Sequence, residues 1–213
     1  EIRMENLIKE FVEVLENSED ATALKEAAEG VGNLLKEVGC HQLVETEGLI
    51  RGLMRVMGKD GEGFREAREW ALVAIDYIAD GSDEVKKGLF EYDGLVDCLL
   101  GRMREGGVEE RNWAVLAIHD IACGDMEVKK GLFKHEGLID GLIEIAGQTG
   151  NEYDDTRRIA LEAMNNIADG DDEVKAGLFH FPGLMTSIEG ILLDATLNGT
   201  HAKQFATSLA RKL

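Results

Sequence analysis

Apolar residues recur three and four positions apart along most of this chain, which is the spacing of one face of an α-helix. Val85, Leu89 and Phe90 mark one short helix over about 83–92. Leu95, Val96, Leu99 and Leu100 mark a second that begins after Gly94, and Ala114, Val115, Ala117, Ile118 and Ile121 mark a third over about 108–122. Runs of β-branched residues are short and aromatics are few, so no sheet is predicted. A single proline, Pro182, leaves helix unobstructed almost everywhere.

The three-helix pattern repeats. Trp70 to Val96, Trp113 to Ile139 and Ile159 to Met185 align without gaps, and a fainter copy runs from Asn33 to Ile50. Gly48, Gly94, Gly137 and Gly183 lie 46, 43 and 46 residues apart, the period of stacked helical repeats. These glycines fall in the bend between the first two helices, where glycine permits a sharp turn. Gly81, Gly124 and Gly170 follow the third helix, where a left-handed C-terminal cap is predicted. The units read as about 1–38, 39–80, 81–123, 124–169 and 170–213, within one domain spanning 1–213.

The pattern Ala-x-x-Ala-Ile-x-x-Ile-Ala-x-Gly…Val-x-x-x-Leu-Phe-x-x-x-Gly-Leu-Val resembles the armadillo repeat and covers nearly the whole chain. The proline and the Asp/Arg pair usual in two-helix HEAT repeats are missing. The resemblance implies an all-α, right-handed superhelix of three-helix repeats. It also implies that the third helices line a concave surface that binds an extended or helical segment of a partner protein. In that family an Asn near the end of the third helix often holds the ligand backbone, and a Trp four residues earlier packs on its side chains. The Asn position falls on Asn33, Tyr77, Asp120 and Asn166, of which two match. The Trp position falls on Glu29, Val73, Leu116 and Glu162, and none matches. Trp70 and Trp113 sit three residues earlier, seven before Tyr77 and Asp120 and close to the same helical face.

Those ten residues are the candidate partner-binding set, with Asp76 as a further acid of the same surface. The two tryptophans have an alternative reading as fillers between adjacent repeats. Against it, the equivalent positions elsewhere are Glu26 and Ile159, a pair that one fixed core position would seldom accept.

Composition then sets the sign of the partner. Asp plus Glu number 42 against 23 Lys plus Arg, for a net charge of −19. Such a chain repels nucleic-acid phosphates and anionic membranes and favours a basic protein or peptide. Lys86-Lys87 and Lys129-Lys130 are expected to balance local carboxylates. No apolar run reaches the eighteen residues that a bilayer span needs. The acidic, amphipathic opening from Glu5 to Asp20 is not expected to act as a leader. Cys40, Cys98 and Cys123 are odd in number and have no CxxC spacing. They read as reduced thiols, implying an intracellular, cytoplasmic or nuclear, setting.

Candidate chemistry adds little. Asp80–Glu84 and Asp169–Glu173 lack the alternating oxygen ligands of a calcium loop, and helix capping by Ser or Asp explains them better. His119-Asp120, with Cys123 and His135 nearby, reads as ordinary helix surface in the absence of a second spaced His pair. No phosphate-binding, nucleophile-elbow or zinc-protease motif is present. No catalytic, cofactor or metal residue is therefore assigned. The expectation is a non-enzymatic scaffold or adaptor, with a structural subunit docked through its repeat ends and convex face as the alternative. Leu7, Phe11, Val14, Phe205 and Leu209 near the two termini suggest uncapped ends prone to self-association.

Overall fold

The computed structural model describes residues 2–38, 46, 48–148, 150, 153–193 and 201–213. Helices dominate, and no strand occurs among the described residues. Contacts group them into two compact units, Glu1–Cys98 and Leu99–Leu213. The boundary falls inside the helix Leu95–Glu105.

The first unit contains the helices Ile2–Asn17, Ala21–Val38, Leu49–Met57, Arg65–Ala79 and Asp83–Glu91. The third helices of neighbouring repeats, Ala21–Val38 and Arg65–Ala79, lie side by side. Leu15, Leu24, Leu49, Leu53, Met57, Leu72, Ile75 and Ile78 are sealed from solvent there. Each such aliphatic side chain contributes about 1.5–3 kcal/mol on burial. Phe11 lies over the backbone of Gly30, where a Cβ would overlap its ring.

The second unit holds the third helices Val108–Ala122, Asp154–Ala168 and His201–Lys212. Between them come the shorter Met126–Lys134, Leu138–Ala146, Asp172–Phe179 and Leu184–Leu193. Asp154–Ala168 packs against both Val108–Ala122 and His201–Lys212. Val115, Ile118, Ile121, Leu132, Leu142, Leu161, Met164 and Ile167 form its core. Phe133 rests on Gly177 of the following repeat as Phe11 does on Gly30.

The helix limits match the periodicity closely, most closely for the third helix at Val108–Ala122. Gly48, Gly94, Gly137 and Gly183 share a left-handed backbone, with φ of 85°, 76°, 75° and 83°. A side chain there would cost roughly 1–2 kcal/mol in steric strain, which is why the same residue type recurs at each bend. Capping holds in part. Asp125 accepts from the Glu127 and Val128 amides at 2.9 and 3.0 Å, and Asp171 accepts from Val174 at 2.9 Å. Ser82 occupies the same position without a side-chain capping bond.

Gly81, Gly124 and Gly170 correct the sequence reading, because none has positive φ. Each third helix instead ends in a tightened turn, with these amides donating to Ile78, Ile121 and Ile167 carbonyls at 2.9–3.0 Å. Satisfying the last carbonyls by such i→i−3 bonds removes the need for a left-handed cap. Leu209 is a second correction, since it is 0% exposed and belongs to the core, not to an end face. Cys40 and the connection 39–45 lie outside the described residues.

An arginine that the sequence reading passed over recurs in register two residues before Trp70, Trp113 and Ile159. Arg68 donates to the Lys59 and Gly61 carbonyls at 3.0 and 2.8 Å. Arg111 donates to those of Gly106 and Arg104 at 2.8 and 3.2 Å. Arg157 donates to the Gln148 carbonyl at 2.7 Å and to Asp154 Oδ1 at 3.3 Å. In these three repeats the planar guanidinium holds one or two carbonyls at the connection between the second and third helices, a task suited to its fixed fork of donors.

Candidate functional site

Superposing the repeats by sequence gives each third helix a common strip of three positions spaced four residues apart. In the first unit Ala21–Val38 carries Lys25, Glu29 and Asn33, beside Glu69, Val73 and Tyr77 on Arg65–Ala79. In the second unit Val108–Ala122 carries Asn112, Leu116 and Asp120, beside Arg158, Glu162 and Asn166 on Asp154–Ala168. Each unit therefore pairs a strip of base, acid and amide with a strip adjoining a tryptophan.

In the first unit Trp70 is half-buried, and its six-membered ring would touch a Cβ at Gly32 at 3.7 Å. The indole packs against the neighbouring helix there while the residue keeps part of its surface in solvent. The filler reading of Trp70 thus holds for the part of the ring beside Gly32, and the rest is open to solvent. Val73 is a correction to the candidate set. At 6% exposed it is core, directed at the same Gly32 backbone, so a ligand cannot reach it. Asp76, 5% exposed, likewise lies beneath the surface that the sequence assigned to it. Glu29 and Tyr77 are half-buried and Asn33 is exposed. Lys25 forms an ion pair with Glu66 across the two helices. That contact holds the Glu66 carboxyl below its usual range and the Lys25 ammonium above its own.

In the second unit Trp113, Leu116, Asp120, Glu162 and Asn166 are all half-buried. Three polar contacts stitch the two third helices together. Thr156 Oγ1 donates to Asn112 Oδ1 at 3.3 Å, His119 Nε2 lies 3.9 Å from Glu162 Oε2, and Asn166 Nδ2 donates to Cys123 Sγ at 3.1 Å. Glu162 also accepts from Arg158 Nη1 through both oxygens, at 2.8 and 2.7 Å. Asp120 Oδ1 lies 2.7 Å from His119 Nδ1. The structure thus brings Asp120, Glu162 and Asn166 together with His119 and Cys123, two neighbours that sequence reasoning left as plain helix surface. The ladder amide of Asn166 donates to a sulfur.

The paired lysines behave as local counter-charges. Lys130 Nζ lies 2.5 Å from Asp171 Oδ2, and Lys87 lies 3.8 Å from Glu91. The Lys130 contact, followed by the capping amide of Val174, holds the Asp171 carboxyl below its usual range. Among the described residues no single helix is long and apolar enough to cross a membrane.

No family model matches the chain, and no curated protein matches it. Solved structures do. A designed armadillo repeat protein in complex with the peptide (KR)4 is 24% identical, with a TM-score of 0.80, over 95% of this chain and 80% of that one. A computationally designed armadillo repeat protein for modular peptide recognition is 23% identical, with a TM-score of 0.80 over the same shares. An engineered protein at 20% identity gives a TM-score of 0.81 over 96% of this chain and 80% of that one. At these identities the likeness establishes the fold. The chain has the all-α armadillo-type repeat fold.

Proposed function

We propose that this protein is a binding module that holds a basic, extended or helical segment of a partner along its third-helix surfaces. The observation that carries the reading is the recurrence, in each unit, of a half-exposed tryptophan among acids on the third helices. Glu66 and Glu69 flank Trp70, with Glu29 on the neighbouring helix. Glu109 and Asp120 share the helix of Trp113, with Glu162 alongside. An indole face attracts a Lys or Arg side chain through its quadrupole, and carboxylates around it steer and orient that charge. The designed relative bound to alternating Lys and Arg offers a precedent for such a guest on this fold.

Not every acid is equally available. Glu66 is engaged by Lys25 and Glu162 by Arg158, so a basic guest must displace those partners. Asp120 is likewise engaged, by His119 at 2.7 Å, whereas Glu29 and the exposed Glu109 are better placed to meet it. The fold is one of repeat scaffolds, and no reaction is assigned to it. The test is binding of immobilised (KR)4 and of a length-matched Glu/Asp peptide to the full chain. Retention of the first and not the second supports the reading. Equal binding of both, or of neither, overturns it.

A further inference from the structure

The end of the Val108–Ala122 helix gathers three different donor atoms. A ring nitrogen of His119, a carboxylate oxygen of Asp120 and the sulfur of Cys123 all lie within 4.8 Å of one another. His119 and Cys123 are four residues apart and share one helical face. Asp120 Oδ1 stands 2.7 Å from His119 Nδ1, which identifies the nitrogen that faces the group. We propose that His119 Nδ1, Asp120 and Cys123 Sγ form a binding site for a zinc-like divalent transition-metal ion. Its fourth position is left to water or to a donor from a bound partner.

The distances suit that ion after small side-chain rotations. Zinc bonds of about 2.0–2.3 Å in tetrahedral geometry set ligand atoms roughly 3.3–3.8 Å apart. The nitrogen–oxygen pair must open by about 0.5–1 Å, and the rest of the cluster must contract by up to about 1–1.5 Å. The donor set selects the metal class. An imidazole and a thiolate suit zinc, cobalt or copper, whereas calcium and magnesium prefer all-oxygen shells. Binding releases the Cys123 Sγ proton to solvent, and the His119 ring proton moves from Nδ1 to Nε2, which frees the Nδ1 lone pair for the ion.

The neighbouring repeat supplies the outer contacts such a site needs. Glu162 Oε2, 3.9 Å from His119 Nε2, is placed to accept the remaining ring N–H, the carboxylate–histidine–metal relation that fixes ring orientation. Asn166 Nδ2 donates to Cys123 Sγ at 3.1 Å, a contact that stabilises negative charge on sulfur. Arg158 in turn holds Glu162 by both oxygens. Two helices from successive repeats thus converge five side chains on one point.

Cobalt titration of the full chain under reducing conditions tests the site, since a cobalt–thiolate bond gives a near-ultraviolet charge-transfer band. One Co²⁺ per chain is expected, with that band present and abolished by excess Zn²⁺. Cys123→Ala should remove the band, with its circular dichroism unchanged. A Cys40→Ala/Cys98→Ala variant should keep it, and Asn166→Ala should weaken metal affinity about 10-fold or more. Absence of the band from the wild type, or its persistence at full strength in Cys123→Ala, overturns the proposal.

Discussion

The Arg157 guanidinium donates to the Gln148 carbonyl at 2.7 Å across the loop that precedes its own helix. Arg157 is buried, and Arg68 and Arg111 make the equivalent contacts in their repeats. Truncating this arginine deprives the part-buried Gln148 carbonyl and Asp154 Oδ1 of their donor, a loss of roughly 1–3 kcal/mol. Arg157→Ala should lower the urea midpoint accordingly, and Arg157→Lys should recover little because one ammonium cannot reproduce the fork. The exposed Arg65, paired to Glu62 of the preceding turn at 2.9 Å, provides the control. Arg65→Ala should move the midpoint by about 0.5 kcal/mol or less.

Glycines in equivalent-looking helices should respond with opposite sign. A Cβ at Gly177 would overlap the Phe133 ring, whereas one at Gly88 meets nothing within 4 Å. Gly177→Ala forces the ring to move and should cost about 1–3 kcal/mol. Gly88→Ala gains helix propensity and should stabilise by up to about 1 kcal/mol. Thermal melts of the two variants against wild type decide it, and two shifts of like sign would contradict the packing described.

Both glycine effects show how much the sequence exposed. The bends at Gly48, Gly94, Gly137 and Gly183 were legible because positive φ leaves essentially one residue type. The Val108–Ala122 helix was legible because its apolar spacing is regular. Val73 was misplaced because the family's ladder fixes a position along the helix, while exposure depends on the neighbouring helix. Val73 faces Gly32 of that helix, and Asp76, assigned to the same surface as a further acid, is buried as well. His119, Asp120 and Cys123 were visible along the chain but set aside for want of a second His pair, because their partners Glu162 and Asn166 lie one repeat away. Side chains about one repeat apart in sequence abut in space, as Asn112 and Thr156, Cys123 and Asn166, and Phe133 and Gly177 all do. That offset of 43–44 residues was available as a signal.

Acid stability should depend on Asp171. Its carboxyl is held below the ordinary 3.8, first by Lys130 and then by the Val174 amide. A depressed folded value means that the unfolded chain takes up the proton first. The contribution is therefore complete above the unfolded value and is lost as pH falls through the lowered folded one. Asp171→Asn can keep the cap but cannot titrate. Its stability deficit against wild type should be largest near neutrality and shrink below about pH 4. Denaturant midpoints across that range check the sign.

Binding of a basic segment should separate into a charge-dependent approach and an aromatic-dependent hold. With a net charge of −19, the chain should accelerate encounter with a Lys/Arg peptide at low salt. Screening shortens from about 10 Å at 0.1 M to about 3 Å at 1 M, so association should slow strongly across that range while dissociation changes little. Exposed ion pairs individually contribute about 1 kcal/mol or less, which leaves the indoles to retain the complex. Trp113→Ala should speed dissociation about 10-fold or more, the effect of a residue contributing over about 1.4 kcal/mol, with association nearly unchanged. Trp70→Ala should do the same but also lower stability, because part of that ring packs against Gly32. Val73→Ala, buried beneath the surface, should cost stability without altering either rate in chain that remains folded. Stopped-flow or surface-plasmon measurements with (KR)4 resolve the two rates. Salt acting on dissociation alone, or a tryptophan acting on association alone, would contradict this division of labour.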